Sequence, residues 1–225
     1  MSNNNKNVHN ETAQNVGEVF SKTEIFIQKY GKLLTWGLII LIAIVAIYMA
    51  VMQFYVKPLK KEALGQMFVA EQLFRAENYD AALNGDGNAL GFSQIIDEYG
   101  SKAGEVVYFY AGVSALKTNK AEEAISYLKK FDSDDPILMG RALSCVGDAY
   151  SINNDFKNAV SNYVKASKLA NNQFSASYLL KAGIASEELG NKDQALKYYQ
   201  EIKDNYPNTY EGSEIDKYIT RLNIK

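Results

Sequence analysis

AGIASEELGNKDQALKYYQEIKDNYP, residues 182–207, has the pattern of two helices joined by a Gly-Asn turn. Gly183, Ala195 and Pro207 stand twelve residues apart, and Tyr199 follows the alanine by four. A small residue in the first helix and an alanine in the second allow two antiparallel helices to cross closely. The proline cannot continue the backbone hydrogen-bond ladder, so it ends the second helix. The stretch therefore predicts an α-hairpin.

The same spacing occurs twice upstream, so the hairpin is one unit of a repeat. Gly147 is followed after twelve residues by Ala159, and Gly112 by Ala124. The three alanines are 35 and 36 residues apart. A degenerate first copy has its alanine at position 82, and its larger separation from the next copy matches an insert, NGDGNALG, at residues 84–91. The signature residues are Ala82, Gly112, Ala124, Pro136, Gly147, Tyr150, Ala159, Tyr163, Gly183, Ala195, Tyr199 and Pro207.

The repeats predict an α-solenoid with a C-terminal capping helix. Together with an apolar run near the N-terminus, they predict an all-α fold in which a single N-terminal transmembrane helix precedes the solenoid. Ile215, Tyr218, Ile219 and Leu222 lie on one helical face after Pro207, which suits a cap. The predicted organisation is a disordered polar tail over residues 1–17, a juxtamembrane helix and anchor over 18–61, and a repeat domain over 62–225, with repeats at about 63–102, 105–138, 140–173 and 176–209 and a cap at 211–223.

The predicted anchor is LLTWGLIILIAIVAIYMAVMQFYV, residues 33–56, which has no charged side chain in 24 positions. About twenty apolar residues are enough to cross a bilayer as a helix. Trp36 and Tyr55 lie near the two ends, where aromatic rings favour the membrane interface. The run is too long for the apolar part of a cleaved signal peptide, so it predicts an uncleaved signal anchor. Lysines flank both ends, and the positive-inside rule therefore sets no clear orientation.

The composition argues against several classes of function. A net charge of −2 gives no electrostatic basis for nucleic-acid binding. Cys145 is the only cysteine, and the only histidine, His9, lies in an Asn-rich tail, which argues against a catalytic dyad and a histidine-based metal site. NGDGN at 84–88 begins like a calcium loop, but Ala89 and Ile95 occupy positions where an EF-hand needs Gly and Glu. We therefore predict no enzyme activity, cofactor, metal or small-molecule substrate, and interpret the insert as an exposed turn.

The first helix of each hairpin provides the candidate partner-binding surface. By the register of the repeat, its outward side chains line a concave face that is apolar over its first half, which suits a peptide segment. Phe109 is expected in this groove and its neighbour Tyr108 in the core. The predicted groove residues are Met67, Phe74, Phe109, Val113, Leu116, Arg141, Ser144, Asp148, Ile152, Leu180 and Ile184. Whether another part of the chain covers the groove is left open.

The spacing of small, aromatic and proline positions resembles the tetratricopeptide repeat over residues 146–166 and 182–207, and less fully over 111–131. That resemblance implies a protein-binding module. The whole arrangement over residues 18–225, with Tyr30-Gly31-Lys32 at the entry to the apolar run, resembles the bacterial ancillary SecYEG translocon subunit (YfgM-type) family.

The second resemblance implies a single-pass protein of the bacterial inner membrane, with its N-terminus in the cytoplasm and its repeats in the periplasm. The implied partners are a SecYEG-type translocon and a membrane-anchored periplasmic foldase or chaperone, or emerging secreted chains. The function expected on this basis is that of a translocon accessory subunit. The alternative is an envelope scaffold that assembles a different membrane complex, and co-purification would separate the two.

Overall fold

The computed structural model describes the backbone of residues 4–224 and the side chains of residues 26–100, 102–169 and 171–223. Over residues 4–224 helix is the only regular secondary structure, which confirms the all-α prediction. The chain divides into two compact units, Met1–Pro58 and Leu59–Lys225.

The first unit consists mainly of one long helix, α1 (Asn4–Val51). Every described side chain from residue 32 to residue 55 is exposed, including Trp36 at 65% and Phe54 at 81%. An 18-residue window has a mean hydropathy of 2.6, so the helix is long and apolar enough to cross a membrane. The backbone is helical from Asn4, over residues for which the sequence analysis predicts a disordered tail. Residues 1–3 of that tail lie outside the described part.

The end of the predicted span coincides with a π-helical turn, Met52–Val56, in which the N–H of Lys57 donates to the carbonyl of Met52. Pro58 supplies a physical reason for this turn. A proline inside a helix removes one backbone donor, and its ring clashes with the carbonyl four residues earlier, here that of Phe54. A wider turn relieves that clash, and π-bulges are the usual form of such an adjustment.

The second unit contains four helical hairpins and a final helix. The first hairpin pairs α2 (Lys57–Arg75) with α3 (Tyr79–Asn84) and α4 (Phe92–Tyr99), and a 3₁₀ turn, Gly100–Ala103, follows. The second is α5 (Val106–Lys117) with α6 (Ala121–Leu128), the third α7 (Pro136–Ile152) with α8 (Phe156–Ala170), and the fourth α9 (Phe174–Glu188) with α10 (Lys192–Asn205). The last helix is α11 (Tyr210–Ile224).

The turns inside the four hairpins share one geometry. Each has a residue with positive φ, followed by a residue whose N–H donates to the carbonyl five positions earlier, as at a Schellman-type helix end. The positive-φ residues are Glu77, Asn119, Asn154 and Gly190, with φ of 60°, 62°, 58° and 72°. The donors that follow are Asn78, Lys120, Asp155 and Asn191, with N···O distances of 2.8–3.0 Å. Asn and Gly adopt this conformation at low cost, whereas Glu77 does not.

A glycine in the first helix of hairpins two to four lies directly against a large side chain of the second helix. A Cβ on Gly147 would be 2.5 Å from Cε1 of Tyr163, and one on Gly183 would be 2.1 Å from Cε1 of Tyr199. The equivalent position on Gly112 is 2.4 Å from Cγ of Leu128. Only a residue without a side chain allows this approach. The large residue therefore fills the crossing inside its own hairpin.

The insert splits the second helix of the first hairpin into α3 and α4. Gly85, with a φ of 84°, ends α3, and the Asp86 carboxylate accepts the N–H groups of Asn88 and Ala89 at 2.9 Å each. These hydrogen bonds hold the pKa of Asp86 below its ordinary value. Gly91 is buried, and a Cβ there would lie 2.2 Å from the backbone nitrogen of Gly85. The insert therefore closes on itself as a compact turn.

The α11 helix covers the last hairpin, as the sequence predicted. Ile215 is fully buried and Leu222 is 7% exposed, in one cluster with Tyr199. The guanidinium of Arg221 donates to Oε1 of Glu187 at 2.6 Å, and the hydroxyl of Tyr199 donates to the same oxygen at 2.5 Å. A terminal helix of this kind is what an α-solenoid needs at its open end.

Candidate protein-binding face

A cleft of about 420 Å³ lies between α7 and α9, the first helices of the third and fourth hairpins. We call it the α7–α9 cleft. The α7 residues in it follow the spacing i, i+4, i+7, i+11, and those of α9 follow i, i+4, i+7, so each set lies on one helical face. The lining residues are Ile137, Arg141, Ser144 and Asp148 from α7, and Phe174, Tyr178 and Lys181 from α9, with Cys145 beneath.

A polar network crosses one side of the cleft. The ammonium of Lys181 donates to both carboxylate oxygens of Asp148 at 2.8 Å and to Oγ of Ser144 at 3.3 Å. The hydroxyl of Tyr163, on α8, donates to Oδ1 of Asp148 at 2.8 Å. Burial and the neighbouring Asp148 charge raise the pKa of Tyr163 above its ordinary value. The network joins three helices, and it pairs the charge of Lys181 with that of Asp148.

Arg141 is the other cation in the cleft, and its surroundings are different. Its side chain is exposed, and among the described side chains it has neither an ion pair nor a hydrogen bond. Two apolar side chains stand beside it at the first turns of the two helices: Ile137 is 47% exposed and Phe174 is 48% exposed. The cleft therefore combines one uncompensated positive charge with apolar surface from both helices.

Two of the residues that line the cleft, Tyr178 and Cys145, are largely shielded from solvent. Tyr178 is 8% exposed, and burial raises the pKa of its hydroxyl. Burial, with the negative charge of Asp148 as a smaller cause, raises the pKa of the Cys145 thiol to about 11. A thiol with this pKa is protonated at neutral pH and is a poor nucleophile. The arrangement favours binding over covalent chemistry.

The structure corrects part of the predicted groove. Met67, Phe109 and Ser144 are buried, at 1%, 7% and 3% exposure, and form core contacts or the network above. Phe131, which follows the last turn of α6, covers Phe109: the two ring centroids are 5.4 Å apart. Tyr108 is only half-buried. It packs against the same core cluster. The groove position predicted for Phe109 was therefore wrong.

The other predicted groove residues lie at the surface to different degrees. Phe74, Val113, Leu116 and Leu180 are half-buried, and Ile152 and Ile184 are each 41% exposed. Only Arg141, Ser144 and Asp148 of the predicted set line the cleft.

The sequence analysis missed Ile137 and Phe174, although a signal for both was present. The predicted repeats began at residues 140 and 176, whereas α7 begins at Pro136 and α9 at Phe174. Asp135, whose side chain accepts the N–H of Ile137 at 2.8 Å, is an N-cap immediately before a proline. That pair marks a helix start. Counting back one turn from Arg141 would then have given Ile137.

The described side chains contain no group of three or more His, Cys, Asp and Glu residues arranged to hold a metal ion. In the insert, the carboxylate of Asp86 is already engaged by two backbone N–H groups.

The tetratricopeptide repeat family matches residues 177–209. This match covers most of the fourth hairpin and the loop to α11, the segment in which Gly183 packs on Tyr199. The match supports a tetratricopeptide repeat protein, and the three preceding hairpins share its turn geometry. Such repeats are typically non-enzymatic modules that mediate protein–protein interactions. A comparison with curated proteins gives no significant match.

Proposed function

We propose that this chain is a membrane-anchored protein-interaction module that serves as an accessory subunit of the bacterial secretion translocon. The observation that carries the proposal is the combination of one exposed apolar helix with a repeat unit of tetratricopeptide type. The repeat unit supplies a protein-binding surface, and the helix restricts that surface to the vicinity of a membrane.

The anchoring role of α1 follows from its surface. Large apolar side chains such as Leu41 and Ile44 are 57% and 59% exposed. Exposed apolar surface in water costs roughly 25 cal/mol per Å², and a bilayer removes that cost. Lys29 and Lys32 before the apolar run, and Lys57 after it, suit the two headgroup regions.

The first helices of the hairpins form the proposed partner surface, and the α7–α9 cleft is its best-defined part. The proposed partners are a SecYEG-type translocon and a membrane-anchored periplasmic foldase or emerging secreted chains. The N-terminus is then cytoplasmic and the repeat unit periplasmic. Orientation and partners are based on the family resemblance, because the flanking lysines are balanced.

Chemical crosslinking in native bacterial membranes, followed by purification of the tagged full chain, tests this proposal. Recovery of translocon subunits together with a periplasmic foldase is the expected result. Recovery of another envelope complex, without the translocon, would instead assign the chain to a scaffold of that complex.

A further inference from the structure

Resting on the proposed function, we infer that the α7–α9 cleft binds an internal segment of a partner protein in which an Asp or Glu is flanked by bulky apolar residues.

The charge of the cleft selects a carboxylate. Arg141 and Lys181 contribute two positive charges and Asp148 one negative charge, so the cleft has a net charge of +1. Lys181 is bound to both oxygens of Asp148, and its charge is therefore already compensated. Arg141 retains its donors, and a guanidinium binds a carboxylate through two parallel hydrogen bonds. A cationic segment would meet an uncompensated positive charge instead.

The apolar surface selects the flanking residues. Ile137 lies one turn before Arg141 on α7, and Phe174 occupies the first turn of α9 across the cleft. Each is nearly half exposed, although both are large apolar residues. A segment that places its carboxylate on Arg141 brings its neighbouring side chains to these two positions, where apolar groups lose water-exposed surface.

The position of the acidic residue within its segment also follows. Ile137 and Phe174 belong to different helices, so apolar contacts are offered from both walls of the cleft. An internal acidic residue has a neighbour on each side to meet both walls. A C-terminal carboxylate has a neighbour on one side only, so it leaves one wall uncovered.

A displayed library tests the inference. Random octapeptides, flanked at both ends by fixed Gly-Ser segments so that no C-terminal carboxylate adjoins the random residues, are selected for binding to the full chain in lipid nanodiscs. We expect enrichment of Asp or Glu next to Leu, Ile, Phe, Tyr or Trp. The best peptide is then synthesised with both ends blocked, and its binding is measured by fluorescence anisotropy.

Variants of Arg141 assign the binding to the cleft. Arg141→Gln should weaken the selected peptide at least about tenfold, the effect of a lost charge-assisted hydrogen bond. Arg141→Glu should change the library preference from acidic to basic residues. Arg141 is exposed, so both variants should melt like the wild type. Lys197→Glu makes the same charge reversal at an exposed position on α10 and should leave binding and preference unchanged.

Three results would overturn the inference: no acidic preference, an acidic preference that Arg141→Glu leaves unaltered, or no binding of the best peptide once both of its ends are blocked. The proposed function is judged separately by the native-membrane crosslinking experiment. Translocon partners recovered by wild type, without any acidic preference in the library, would refute the inference and leave the proposed function standing.

Discussion

Replacing Gly183 by alanine should destabilise the repeat unit, although the same exchange stabilises an ordinary helix. The added Cβ would lie 2.1 Å from Cε1 and 2.7 Å from Cζ of Tyr199. The Tyr199 ring is fully buried, and its hydroxyl is bound to Glu187, so the ring has no free space to move. Overpacking of this kind costs about 1–3 kcal/mol or more. The higher helix propensity of alanine offsets up to about 1 kcal/mol.

Because the ring has no free space, we expect the upper part of that range, about 2–3 kcal/mol. The net loss is then about 1–2 kcal/mol, which corresponds to a fall in melting temperature of about 2–8 °C for a unit of this size. The assay is urea and thermal unfolding of residues 59–225, followed by circular dichroism. Gly65→Ala is the matched control, because Gly65 is an exposed helical glycine whose added Cβ would meet no atom within 4 Å. That exchange should stabilise the unit by up to about 1 kcal/mol.

A second-site change isolates the contact. In a Tyr199→Ala background the clash is removed, and Gly183→Ala should then be neutral or stabilising. If Gly183→Ala alone stabilises the unit as much as Gly65→Ala does, the close crossing of α9 and α10 is not as described, and the explanation of the repeat by glycine–aromatic packing fails.

Four further predictions concern three single positions. Glu77→Gly should stabilise the unit by about 0.5–1 kcal/mol, because Glu77 has a φ of 60°; an unfolding midpoint that does not rise would contradict the strain. Phe109→Asp should destabilise the unit by several kcal/mol in the same assay, because it buries a charge at a site that is 7% exposed. If the variant unfolds at the wild-type temperature, Phe109 lies in the exposed groove, as the sequence analysis predicted. Cys145, with its pKa raised to about 11, should react with iodoacetamide at pH 8 at least about 100-fold more slowly in the folded than in the urea-unfolded chain, since the unfolded thiol has a pKa of about 8.5. The same shift means that folding favours the protonated thiol, so stability should fall as pH rises from about 8.5 towards 11, and Cys145→Ala should remove that part of the pH dependence.

The hairpins were predictable because their spacing has a steric cause. Gly147 and Tyr163, sixteen residues apart, pack on each other, and the pair recurs as Gly183 and Tyr199. A close helix crossing requires a small residue at a fixed position, and that requirement is visible in the sequence. The apolar character of residues 33–56 was equally visible, since it depends on composition alone.

It was harder to predict from the sequence which side chains of the first helix of each hairpin are exposed. Assigning an outward position requires the full extent of the helix. Repeats taken to begin at about 140 and 176 left out the first turns of α7 and α9, which begin at Pro136 and Phe174. The burial of Phe109 depends on Phe131, which lies beyond the end of α6 and packs against the Phe109 ring. The Lys181–Asp148 pair joins residues 33 positions apart in different hairpins, and no local pattern reports such a contact.

The most direct test of the central claim is site-specific photocrosslinking in native membranes, with a benzophenone amino acid at position 137 or 174 and, as a control, at exposed position 197 on α10. If the chain is an anchored interaction module, it stays in the membrane pellet after alkaline carbonate washing, and positions 137 and 174 give adducts with a defined partner protein that position 197 does not give. Release of the chain by carbonate, or equal adduct yields at all three positions, would contradict the account.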